Sequence, residues 1–169
     1  MVADFSWVEY TTSAGDTAVT ANVNMGSTVQ RALAPSTFPI TAGTYSYNKL
    51  LTGNWSGTFT RIENLQFWCS ASGSGYVGSE SIAFAGTTTS YAGTTTWVAP
   101  TNSEAAGGAV NAMVFADPAA ANMGIGGSLT GSLEAAGYSD FINLQMSVTG
   151  AALAGSTQTK TFTLQYDEV

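Results

Sequence analysis

No histidine occurs anywhere in the 169-residue sequence. Imidazole is the commonest general base near neutral pH and the usual metal ligand, so both roles lose their first choice. A Ser-His-Asp or Cys-His nucleophilic site cannot be assembled. Cysteine is almost as scarce. Cys69 stands alone, which excludes an intrachain disulfide and a thiolate zinc site. Positive charge is nearly missing too: Arg31, Lys49, Arg61 and Lys160 face 11 carboxylates, for a formal net charge of -7. Nucleic-acid binding needs a basic footprint that releases phosphate counterions, and anionic lipid needs the same sign, so neither partner is expected. There is no unbroken apolar run of membrane-spanning length. The opening Met-Val-Ala-Asp-Phe-Ser-Trp lacks the basic region and apolar run of a signal peptide, so cytosolic synthesis is expected.

Charged residues of either sign make up only 9% of the chain, against about 25% in an ordinary soluble protein. Thr, Ser, Ala and Gly must therefore cover the outside. Interfaces are depleted in Lys, Glu and Asp and enriched in aromatics. The composition thus points to a surface covered by other subunits, ahead of a secreted β domain solubilised by hydroxyls.

What is present is two-residue periodicity. In the stretch Glu63 to Gly75, Leu65, Phe67, Cys69 and Ala71 alternate with Asn64, Gln66, Trp68 and Ser70, the mark of a half-buried strand. Ile142, Leu144, Met146 and Val148 alternate in the same way with Phe141, Asn143, Gln145, Ser147 and Thr149. Each strand therefore carries a core row and a neutral polar row bearing one large aromatic, Trp68 or Phe141. Cys69 falls on the core row and reads as a small hydrophobe.

Asp4 to Tyr10 is aromatic-rich, and the segment 1–10 reads as a first strand or an N-terminal arm. A turn is expected over Thr11 to Asp16, then a strand over Thr17 to Met25. Val29 to Gly43 loses the pattern, and Pro35 and Pro39 forbid ladder bonding, so a long loop is expected. Tyr45, Tyr47 and Leu50 read as a short strand, and alternation resumes over Asn54 to Thr60. Gly86 to Ala99 holds a seven-residue echo, Gly-Thr-Thr-Thr, whose odd period places a bulge or corner at Gly93. Helical turns are expected at Asp117 to Ala121, where an N-cap precedes proline, and at Ser132 to Gly137. Two closing strands follow, Asp140 to Thr149 and Gln158 to Asp167, the latter with Phe162, Leu164 and Tyr166 inward. These elements predict one domain over 1–169: an all-β antiparallel β-sandwich, jelly-roll-like, with at most one or two helical turns.

The acids are scattered singly apart from Asp167-Glu168, and no glycosidase-like pair is legible. Asp140, Asp167 and Glu168 read as solvated strand-end carboxylates in preference to a calcium site. Gly124-Ile125-Gly126-Gly127 lacks the lysine and the strand-to-helix context of a phosphate loop and reads as a turn. No enzyme activity, cofactor or metal is expected. Of Trp7, Trp55, Trp68 and Trp97, Trp68 is the one whose phase turns it outward, toward a partner, a covering loop or a ligand.

Several short motifs together resemble a family of small virion structural proteins of tailed bacteriophages. They are Trp7-Val8-Glu9, Asn24-Met25-Gly26-Ser27, Pro39-Ile40 followed by Gly43, Ser46, Tyr47 and Lys49, then Asn64-Leu65-Gln66-Phe67-Trp68, Tyr138-Ser139-Asp140-Phe141 and Tyr166-Asp167-Glu168. They are spread over nearly the whole chain, each short and degenerate. The resemblance implies a capsid decoration or cement protein, made in the host cytoplasm and bound to the outer capsid surface. Its partner would be the major capsid protein, with self-association as a dimer or trimer. It supplies no catalytic residues. Trp7, Pro35, Phe38, Pro39, Asn64, Gln66, Trp68, Phe141, Asn143 and Gln145 are the candidate partner contacts. The alternatives are a carbohydrate-binding or adhesive module of a tail or surface fibre, and a self-assembling filament subunit.

Overall fold

A computed structural model describes residues 2–11, 15–18, 23–28, 33–72, 80–87, 110–111, 117–152 and 159–169. Among the described residues there is no helix, and ten strands are present. They are β1 (Ala3–Thr11), β2 (Gly15–Ala18), β3 (Lys49–Gly57), β4 (Ile62–Ser72), β5 (Glu80–Thr87), β6 (Val110–Asn111), β7 (Ser132–Leu133), β8 (Gly137–Tyr138), β9 (Phe141–Val148) and β10 (Lys160–Glu168). The larger sheet runs β2-β1-β3-β9-β5-β6, with β8 pairing the far end of β3; the smaller runs β10-β4-β7. Every pairing is antiparallel.

The apolar rows read from the sequence meet in one core. Leu65 and Phe67 from β4 join Ile142, Leu144 and Met146 from β9, with Leu51 and Trp55 from β3. Cys69 is fully buried on the core row of β4. Phe162, Leu164 and Tyr166 of β10 pack against this core. Rings join the two sheets. Trp55 meets Tyr166 edge-on at 5.3 Å and Trp7 meets Phe67 at 6.2 Å, while within the smaller sheet Phe67 stacks on Phe162 at 5.4 Å. Such pairs are each worth about 0.5–1.5 kcal/mol beyond their burial. Gly53 makes room for them: a Cβ there would lie 2.6 Å from the Trp55 ring and 3.0 Å from Phe5.

One ion pair shares this interior. Glu9 follows Phe5 and Trp7 on the core face of β1, and Lys49 precedes Leu51 on that of β3. Lys49 Nζ donates to Glu9 Oε1 at 2.7 Å, with side chains 2% and 7% exposed.

Of the two readings of segment 1–10, the strand is the one observed: β1 pairs with β3 over Ala3 to Tyr10. Several other expectations are corrected. The turn expected at Thr11 to Asp16 is shorter, since Thr11 already faces Gly15 in a β1-β2 pair. Of the strand expected over Thr17 to Met25, Thr17 and Ala18 belong to β2 and residues 19–22 lie outside the described ones; Val23 to Met25 lie outside strands, although Val23 and Met25 still pack on the core. The two segments expected at Tyr45 to Leu50 and Asn54 to Thr60 become one strand, β3, preceded by a lone bridge from Tyr45 to Ser147. Beyond Thr87, the Thr-rich echo lies outside the described residues.

Neither expected helical turn forms. Ser132 to Gly137 supplies β7 and the start of β8 instead. Asp117 to Met123 runs beside β4, where open backbone groups must find partners. The Asn122 side chain supplies two: Phe67 N–H donates to its Oδ1 at 2.7 Å, and its Nδ2 donates to Phe67 O at 2.8 Å. The N–H groups of Asn122 and Met123 both reach Leu65 O. An edge in need of bonding outweighs a one-turn helix signal.

The polar row of β9 is corrected as well. Asn143 and Gln145 are 8% and 4% exposed, inside the chain and not on its surface. The segment Gly43 to Ser46 runs along β9, with Ser46 N bonded to Met146 O and Val148 N to Thr44 O. Gln145 Nε2 closes the irregularity beside it by donating to Ser46 O at 3.0 Å. A central strand can be covered on both faces, and alternation alone does not reveal it.

Candidate functional site

The smaller sheet brings together Asn64, Gln66 and Trp68, and its face turned away from the core is the candidate site. On it β4 and β10 present three cross-strand pairs: Glu63 opposite Asp167, Gln66 opposite Gln165, and Trp68 opposite Thr163. From one end to the other the ladder reads acid, amide, then indole and hydroxyl. Gln165 and Asp167 are exposed, while Glu63, Gln66, Trp68 and Thr163 are half-buried.

A bulge sets this order. Between the Gln66–Gln165 and Glu63–Asp167 pairs, Tyr166 alone spans Asn64 and Leu65. Asn64 takes the left-handed conformation, φ 57°, which asparagine tolerates better than most residues. The extra residue keeps Leu65 in the core while Glu63 and Gln66 both face outward.

Like charges directly opposite each other repel, and here both acids are held by neighbours. Arg61 grips Glu63 through two contacts, Nη2 to Oε1 at 2.9 Å and Nε to Oε2 at 2.8 Å. Asn64 Nδ2 donates to Asp167 Oδ2 at 2.9 Å. Gln66 is fixed too, its Nε2 donating to Pro118 O at 2.9 Å and its Oε1 left as an acceptor. Three polar groups of the face are thus restrained before any ligand arrives.

Beside the bulge lies a groove of about 350 Å³ lined by Glu63, Asn64, Ala120, Ala121, Leu129, Thr130 and Gly131. Its far wall hangs from a tight turn, in which Ile125 and Ser128 bond across Gly126 and Gly127 at φ 64° and 81°. Two successive positive φ values make this a mirror-image turn that suits glycine. Asp140 pins the turn by accepting from Gly127 N at 2.7 Å. The expected turn at Gly124 to Gly127 is therefore present, and the Asp140 carboxylate is buried against it, where a solvated strand end was expected.

Other candidates lie elsewhere. Trp7 is half-buried between Phe5 and Phe67. Phe141 packs against Tyr10 at 5.3 Å. Pro35 and Pro39 are exposed and Phe38 is half-buried, in a loop remote in sequence from β4. No group of three or more His, Cys, Asp or Glu among the described residues is placed to hold a metal ion. Gln165 and the Glu63–Asp167 pair were not singled out from sequence. The outward phase of Gln165 was legible, but its partner across the sheet was not.

What these observations define, among the described residues, is an all-β arrangement of two antiparallel sheets sharing one core. No family model matches the chain, nor does any curated protein or solved structure.

Proposed function

We propose that this chain is a non-catalytic structural protein of a tailed-phage virion, a decoration protein that binds and stabilises the assembled head. One feature of the fold carries the proposal, the loop that leads into β3. From Ala34 to Tyr47 no residue carries a formal charge, and most of this stretch is exposed, including Pro35, Pro39 and Tyr45. Yet it is held in shape. Thr37 and Phe38 donate to Ala34 O, Ser27 N donates to Phe38 O, and Asn24 Nδ2 holds Leu33 O at 2.9 Å. A preformed, uncharged, partly aromatic loop suits a partner surface, since little order is lost on docking. The partner is the major capsid protein, and the chain acts on the outer surface of the head as a homo-oligomer. Binding only the assembled lattice stabilises that lattice by mass action. The architecture that accompanies this function is a β-sandwich of jelly-roll type.

The test is cosedimentation of the purified chain with capsids that lack it. Retention on capsids but not on free capsid subunits is expected, lost when Pro35, Phe38 and Pro39 are replaced together by Asp. A chain that stays in the supernatant with every such capsid refutes the proposal.

A further inference from the structure

The ladder on the smaller sheet has a chemistry different from that of the Pro-rich loop, and it stands apart from capsid attachment. Two carboxamides lie at its centre and an indole with a threonine at one end, with no ionised group among Gln66, Gln165, Trp68 and Thr163. The other end carries the carboxylates of Glu63 and Asp167. A phosphate, sulfate or sialic acid arriving here would meet that negative charge, and Arg61, the cation beside it, is already committed to Glu63.

We propose that this face is a binding site for a neutral oligosaccharide. A pyranose presents a flat C–H face, which suits the electron-rich face of an aromatic ring, and a rim of hydroxyls that donate and accept. Trp68 is the stacking surface. The Gln66 Oε1, the Gln165 amide and the carboxylates of Glu63 and Asp167 are the hydroxyl partners. Antiparallel pairs sit about 5 Å apart across the ladder, and successive same-face positions about 6.5–7 Å apart along it. The row from Trp68 to Glu63 therefore matches a chain of two or three sugars. Arg61, Asn64 and Pro118 hold the acceptors in place, which reduces the ordering cost that weakens glycan binding. The acceptor-rich end favours a ligand dense in hydroxyl donors, and the apolar groove next to Asn64 leaves room for an acetamido methyl.

Titration calorimetry of the full chain against neutral hexasaccharides of glucose, mannose and N-acetylglucosamine, up to about 10 mM, tests this. Binding to at least one is expected, weakened at least about tenfold in Trp68→Ala and about threefold in Gln165→Ala. Gln165 is exposed, so its variant remains informative even if Trp68→Ala fails to fold. The proposal stands if either variant, folded as the wild type is, weakens binding by at least about threefold. It falls if the wild type binds no neutral hexasaccharide, if every folded variant binds as the wild type does, or if only anionic glycans bind. Replacing Pro35, Phe38 and Pro39 should leave glycan binding intact, so capsid attachment and sugar recognition fail separately.

Discussion

The buried pair Lys49–Glu9 allows the interior electrostatics to be tested quantitatively. At the observed 2.7 Å, Coulomb attraction is worth about 6 kcal/mol at an effective dielectric of about 20. Removing two ions from water costs several kcal/mol each, so the pair nearly cancels its own desolvation. Removing Lys49 leaves the Glu9 carboxylate buried without its ion-pair partner. Lys49→Met should therefore lose about 3–5 kcal/mol, a large share of the 5–15 kcal/mol typical of a domain. For a chain of this length that lowers the melting temperature by about 6–20 °C. The double variant Glu9→Leu with Lys49→Met removes both charges and should return to within about 2 kcal/mol of the parent. Urea unfolding of all four proteins gives the cycle, with m unchanged and only the midpoint moving. A single variant costing under about 1 kcal/mol, the value of an exposed pair, would refute the argument. So would a double variant equal to the sum of its singles.

Other outcomes can be checked by thermal or urea unfolding. Asn122→Ala strips Phe67 of both side-chain bonds and should cost about 2–4 kcal/mol; Asn122→Asp, which keeps the acceptor but sets a carboxylate against Phe67 O, should not restore it. Gly53→Ala drives a methyl into the Trp55 ring and should cost about 1–3 kcal/mol. Asn64→Val forces a β-branched residue into the left-handed region and should cost about 1–2 kcal/mol more than Asn64→Gly, which loses only the amide to Asp167. Equal melting temperatures for the two Asn64 variants would contradict the bulge geometry.

Much of the strand content was legible because alternation is a local property. β4, β9 and β10 lie within a few residues of where their apolar rows place them, and Leu65, Phe67, Cys69, Ile142, Leu144 and Met146 are buried as expected. The candidate site was half legible. Asn64, Gln66 and Trp68 were chosen by phase, and they do lie off the core row of β4. Asn143 and Gln145 were chosen by the same rule and are buried; Gln145 spends its amide on Ser46 O, in the segment that bonds alongside β9, a contact between residues far apart in the chain. The 117–121 segment misled for a related reason: proline after aspartate is a local helix signal, and the unpaired edge of β4 is a distant demand.

By itself, then, the sequence determined which side chains alternate along each regular stretch of strand, and that histidine chemistry and an intrachain disulfide are ruled out. Those facts follow from residue identity and a two-residue repeat. Only the tertiary structure decided which strands pair and in what register, and so which groups meet across the ladder. Glu63 faces Asp167 because of one extra residue at Asn64, and Lys49 reaches Glu9 because β1 lies against β3. Register is fixed by contacts between residues far apart in the chain, where shifting a strand by one position turns every side chain to the other face.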